Sequence, residues 1–141
     1  MALGAFGITT NGSASDLTIT TAGTAVCTPI TGLTGMQSLT ASLRLAYGSG
    51  GTAVKSYLQT SLDGGNTWID IACVVFNTAS EHALLNFSAL TPKTTAVTPT
   101  DGALADDTAV DGILGDRVRL KAISTGTYGG NTVLSGRIVA H

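Results

Sequence analysis

Charge is scarce in this sequence. Of its 141 residues only 11% are Asp, Glu, Lys or Arg, against about 25% in ordinary soluble domains. Thr, Ser, Ala and Gly stand where Lys and Glu usually cover a surface. Such an exterior is cheap to desolvate, because few ions lose water when a partner docks. The formal net charge of -2 argues against a nucleic-acid binder working through overall charge, since there is no basic excess to displace counterions from phosphates. No apolar run reaches the ~20 residues of a membrane-spanning helix, so no membrane partner is expected. The start, MALGAFGITTNGS, has no basic segment followed by a long apolar stretch. It reads as the beginning of a chain made in a bacterial-type cytoplasm, not as a secretory signal.

Reactive side chains are rarer still. There are two cysteines, Cys27 and Cys73, each inside an apolar strand-like run. That placement predicts buried, inert thiols, with a bridge open to them only if the two strands face each other. The histidines are His82 and the last residue, His141. No H-x-x-x-H, C-x-x-C or G-x-S-x-G spacing occurs, so zinc-site and hydrolase readings lack their ligands and nucleophile. His82 and Glu81 are neighbours in a strand pattern and point to opposite faces, so they form no dyad. GSGGTA at 48–53 matches a dinucleotide fingerprint in letters, but a strand follows it where the fingerprint needs a helix. Asp101, Asp106, Asp107, Asp111 and Asp116 fit no EF-hand spacing, and Asp is the ordinary turn and cap residue. The sequons at Asn11 and Asn86 carry no weight without a signal peptide. The expectation is therefore no catalytic residues, no cofactor and no metal.

What the sequence does have is a two-residue period. In SLTASLRLAY, Leu39, Ala41, Leu43, Leu45 and Tyr47 share one face, and Ser38, Thr40, Ser42 and Arg44 the other. Val118, Leu120 and Ala122 alternate with Arg117, Arg119 and Lys121, and the last segment alternates similarly. No helical period lasts three turns. Strands are predicted over 17–21, 25–30, 38–47, 53–62, 68–76, 82–90, 117–124 and 133–140. IACVVF, apolar on both faces, is expected to be a central strand. The fold class that follows is all-β, an antiparallel two-sheet sandwich, jelly-roll-like, of about eight strands in a single domain over 1–141. Residues 1–14 read as a flexible N-terminal arm, and residues 91–116 as a long loop excursion with room for a short helical turn. That excursion holds five of the nine acids, whereas six of the seven bases lie in predicted strands. If those strands share a sheet, one outer face is basic.

The stretch SLDGGNTW, residues 61–68, reads S-x-D-x-G-x-T-W, the signature called the Asp box. Its mechanics are those of a turn. Ser61 opens it, Asp63 accepts from the amides that follow, Gly64 and Gly65 take positive φ, Thr67 starts the return, and Trp68 lies across the hairpin base. A single box in a chain too short for a propeller, with no paired carboxylates, predicts a structural hairpin and not a glycosidase.

YLQTSLDGGNTWIDIACVVF, followed by the Thr/Pro/Asp-rich excursion and DGILGDRVRLKAISTGTYGGNTVLSGRIVAH, resembles the capsid cement (decoration) proteins of short-tailed bacteriophages. The likeness covers residues 57–141. It implies a virion structural protein with no enzymatic activity, made in the host cytoplasm and then located on the capsid surface. The implied partners are the major capsid protein and further copies in a homodimer or homotrimer. Arg117, Arg119, Lys121 and Arg44 are the residues expected to meet an acidic capsid surface. A carbohydrate-binding module, or a tail, fibre or baseplate module, is the rival class; its aromatic platform would come from Trp68, Tyr47, Tyr57 or Tyr128. A small hydrolase on a β-sandwich is a third.

Overall fold

The structure is a computed structural model that describes the backbone of residues 4–8 and the whole of residues 17–141. Among the described residues the chain is all-β and without helix. One five-stranded antiparallel sheet, here the β4 sheet, contains β1 (Gly4–Ile8), β12 (Val133–Ala140), β4 (Ser38–Ala46) and β8 (Glu81–Ser88) in that order, with β2 (Leu17–Thr18) also on β12. The β6 sheet has the order β3 (Gly23–Val26), β10 (Arg117–Thr125), β6 (Ala53–Ser61), β7 (Ile69–Phe76) and β9 (Thr108–Ala109). A two-stranded ribbon joins β5 (Ser49–Gly50) to β11 (Tyr128–Gly129). The long pairings are nested: β6 with β7, outside them β4 with β8, then β3 with β10, then β1 with β12.

The alternating residues face where their period puts them. Leu39, Leu43 and Leu45 of β4, Phe87 of β8 and Ile138 of β12 meet Leu58, Phe76 and Leu120 of the β6 sheet in one buried cluster. Each such side chain contributes about 1.5–3 kcal/mol over leaving it in water. The segment predicted at 25–30 is strand only as far as Val26. Beyond it, the amides of Cys27 and Ile30 still donate to Leu120 and Val118, but the spacing admits an extra residue around Pro29, which has no N–H for the ladder.

Two expectations need correction. IACVVF is not central: β7 lies next to the edge, flanked by the two-residue β9, and its outer face is buried because residues 99–109 fold over it. The central, most buried strand is β6, whose AVKSYLQTS looks polar. No helical turn forms in the excursion; a turn at Asp107, with φ of 55°, leads into β9 instead. Within the arm predicted over 1–14, residues 4–8 pair along the whole outer half of β12; its other residues lie outside the described ones.

Candidate functional site

The Asp-box hairpin joins β6 to β7. Ser61 is buried at the end of β6, and its hydroxyl donates to Asp63 Oδ1 (2.9 Å) and accepts from the Gly65 amide (2.9 Å). Asp63 in turn accepts from the Thr67 amide at 2.8 Å and the Thr67 hydroxyl at 2.6 Å. These Thr67 bonds hold the Asp63 carboxyl below its ordinary pKa. Gly64 and Gly65 have φ of 73° and 92°, a conformation that costs other residues strain. Four of the five matching residues, Ser61, Asp63, Gly65 and Thr67, thus close one tight turn on each other. Trp68, just past it, is half-buried, and the Arg119 guanidinium lies 4.2 Å from its ring centroid.

Two residues further on, Asp70 clamps the long excursion to the sheet. The residue is 2% exposed. One oxygen accepts from Gln59 Nε2 at 2.7 Å, and the other from the Thr100 hydroxyl and the amides of Ala103 and Leu104, with the Gly102 amide reaching both. Burial pushes this carboxyl's pKa up, but the donors, Gln59 and Gly102 foremost, outweigh burial and the net direction is down. A carboxylate so surrounded is an anion held by a ring of N–H and O–H donors.

Asp101 extends the same network. It accepts from Gln59 Nε2 at 2.6 Å and from Lys121 Nζ at 3.0 Å, and lies 3.7 Å from Arg119 Nη2. The Gln59 bond, with the Lys121 bond behind it, lowers its pKa. Arg119 Nε also donates to Gln59 Oε1 at 2.7 Å. Arg117 forms a two-bond fork with Asp116, and Lys55 pairs with Asp106 at 2.8 Å. Three of the four basic residues expected to meet a capsid therefore have acids of their own chain; the Arg119 and Lys121 side chains are only 14% and 18% exposed. The fourth, Arg44, is exposed on the other sheet, beside Arg137. The bases are split between two outer faces rather than gathered on one.

Where the hairpin meets the excursion there is an open cleft of about 400 Å³, lined by Trp68, Ile69 and Pro99 with Asn66, Thr67, Thr100 and Asp101. Of the other aromatic candidates, Tyr57 and Tyr128 are buried, and Tyr47 packs edge-on against Tyr128 at 6.2 Å. The outer face of the β4 sheet is different in kind. Thr40, Ser42, Arg44, Leu84, Arg137 and Val139 form an open sheet surface, and among the described residues nothing of the chain lies across it. His82 belongs to this face and makes a 2.7 Å bond with the Ser42 hydroxyl. Both cysteines are buried free thiols; burial pushes Cys27 up to about 11 and raises Cys73.

Sequence reasoning missed Gln59, Asp70, Thr100 and Asp101 as one unit. The available signal was Asp70, the single acid inside any predicted strand. An acid there has to be compensated, and the compensation comes from a loop thirty residues away. No family model matches the chain, and no curated protein sequence does.

Proposed function

We propose that the chain is a virion structural protein that binds the outside of an icosahedral phage capsid and stabilises the expanded shell by bridging major capsid proteins. The observation that carries this reading is the open outer face of the β4 sheet: a flat surface of Thr, Ser, Leu and Val with two arginines. Such a surface is inexpensive to desolvate and suits packing on another protein. Arg44 and Arg137 are the charges on it that remain for an acidic partner. The carboxylates support a structural role as well: Asp63, Asp70, Asp101 and Asp111 each accept bonds that fasten a turn or the long loop. The nested strand pairs, a long hairpin rolled into two sheets, support a jelly-roll-like reading of the sandwich with about eight principal strands.

Such a protein acts by mass action. Binding the expanded lattice and not its precursor makes expansion harder to reverse, by about 2.7 kcal/mol per site when the free protein is at 100 times its dissociation constant. Purified protein added to expanded shells that lack it is expected to bind and raise their melting temperature. Absence of binding and of any rise overturns the proposal.

The Trp68 cleft favours a second reading, a saccharide-binding or fibre module. An aromatic ring beside Asn, Thr and Asp groups is the combination that sugar rings dock against. Quenching or a blue shift of Trp68 fluorescence on titration with glycans, with no binding to shells, supports that reading over the first.

A further inference from the structure

The ends of the two large sheets are treated unequally. The β6 sheet ends in strands of four and two residues, β3 and β9. On one side the β4 sheet ends in β1 and β2, five and two residues long. Short terminal strands are a common way to keep an edge from recruiting another chain. On its other side the β4 sheet ends in β8, eight residues with the sequence EHALLNFS. It contains no Pro, Gly, Lys or Arg, and its one charge, Glu81, sits at its first position, so the middle of the edge has none of the residues that usually protect one.

The backbone phase of β8 follows from its pairing. The Ala89 amide donates to the Gln37 carbonyl, which fixes Phe87, Leu85 and Ala83, two residues apart, as those turned toward β4. His82, Leu84, Asn86 and Ser88 then direct their N–H and C=O groups to the free edge. The Ser88 amide is capped by Asp111 Oδ1 at 2.6 Å. Among the described residues, no backbone or side-chain acceptor meets the amides of His82, Leu84 or Asn86. His82 and Asn86 are exposed, and their side chains bond back to Ser42 and Thr40 of β4. Leu84 between them is 69% exposed. Ala83 and Leu85 point to the core yet stay only half-buried, as core residues do at an unfinished boundary.

We propose that β8 pairs antiparallel with β8 of a second copy about a two-fold axis at Leu84, so that the β4 sheet runs continuously through a homodimer. In this register Leu84 faces Leu84 of the other copy, and His82 and Asn86 face Asn86 and His82. Each of the three residues donates its amide and accepts on its carbonyl, and the Asp111 cap on Ser88 marks where the ladder stops. The two exposed leucines become a cross-strand apolar pair. Glu81, the one full charge in the strand, falls opposite Phe87 of the partner copy, and the two Glu81 residues lie at opposite ends, so no like charges meet. The pairing is isologous and closes, giving a dimer and not a fibre. It concerns the chain alone and stands or falls apart from the capsid reading.

Light scattering coupled to size exclusion, over a dilution series from micromolar concentration upward, tests it. The wild-type chain is expected to have the mass of two chains. Leu84→Lys sets two ammonium groups on the axis and is expected to raise the dissociation constant by about 100-fold, with an unchanged far-ultraviolet circular dichroism spectrum. Leu84→Cys supplies a positive test. Paired residues in the hydrogen-bonded register have Cα atoms about 5.5 Å apart, within the range of a disulfide. Mild oxidation should therefore link Leu84→Cys into a covalent dimer, whereas Leu90→Cys, at a position 72% exposed but beyond the strand, should stay unlinked. A monomer throughout the series, a trimer, or a dimer that tolerates Leu84→Lys and does not cross-link at 84 overturns the proposal.

Discussion

The outer faces of the two sheets carry different kinds of polarity to different ends. The β6 sheet presents Lys55, Arg117, Arg119 and Lys121, and the chain covers much of that face itself: residues 99–109 lie over it, with Asp101 and Asp106 taking up three of the charges and Asp116 the fourth. The β4 sheet presents mostly hydroxyls and apolar side chains, with Arg44 and Arg137, and no other described part of the chain covers it. The more highly charged face is thus the one withdrawn from solvent, and the less charged face the one offered to it. On the β6 sheet, charge in a strand marks a place where a loop docks.

The largest test of that contrast is to free the loop. Asp70→Ala takes the acceptor from three loop amides and the Thr100 hydroxyl and one of two acceptors from the Gln59 amide, and should destabilise the fold by about 3 kcal/mol in urea denaturation. Limited proteolysis should then cut within 99–107. Unchanged stability would mean the covered face holds without its clamp.

Acid should act on the same face. The folded pKa values of Asp70 and Asp101 are lowered, so protonation opposes folding. Their stabilisation is complete above the unfolded carboxylate value of about 3.9 and is lost as pH falls through that value toward the lowered ones. Urea midpoints measured between pH 6 and pH 3 should fall toward the acid end, and Asp70→Asn should flatten the decline. A parallel decline in wild type and variant would remove Asp70 from the account.

The smallest effects belong to the open face. Ser42→Ala and Thr40→Ala break only exposed hydroxyl contacts to His82 and Asn86, and each should change stability by no more than about 0.5 kcal/mol. A larger loss would make this face part of what holds the monomer together.

How much of this was legible in the sequence depended on whether one face of a strand was wet. β4, β10 and β12 show their period because one side meets the core and the other does not, and their predicted bounds lie within one residue of the observed ones. β6 hid its burial: Ser56, Gln59, Thr60 and Ser61 are all inaccessible, yet they are polar. Gln59 and Thr60 have partners in distant segments, while the Ser56 hydroxyl has none. IACVVF was misplaced for the converse reason, because its second buried face comes from a loop and not from being central. The strand predicted over 17–21 is observed only at Leu17–Thr18, and the two-residue strands β5, β9 and β11 are shorter than any period can reveal. The Asp box was legible as a turn, letter by letter. The clamp two residues beyond it was not, since nothing in PTDGAL announces that its amides converge on Asp70.

Nested pairing also sets an order of folding. Joining β1 to β12 outright means closing nearly the whole chain, and the entropy lost grows with the length closed. Only β6 and β7 can meet across a short turn, and once they have, each outer pair closes an effectively shorter loop. Asp63→Ala should accordingly slow refolding more than it speeds unfolding in stopped-flow experiments, and the reverse pattern would place the nucleus elsewhere. The Ser61–Trp68 turn is then where the rolled sheet begins, and the register set there is inherited by every strand laid down outside it.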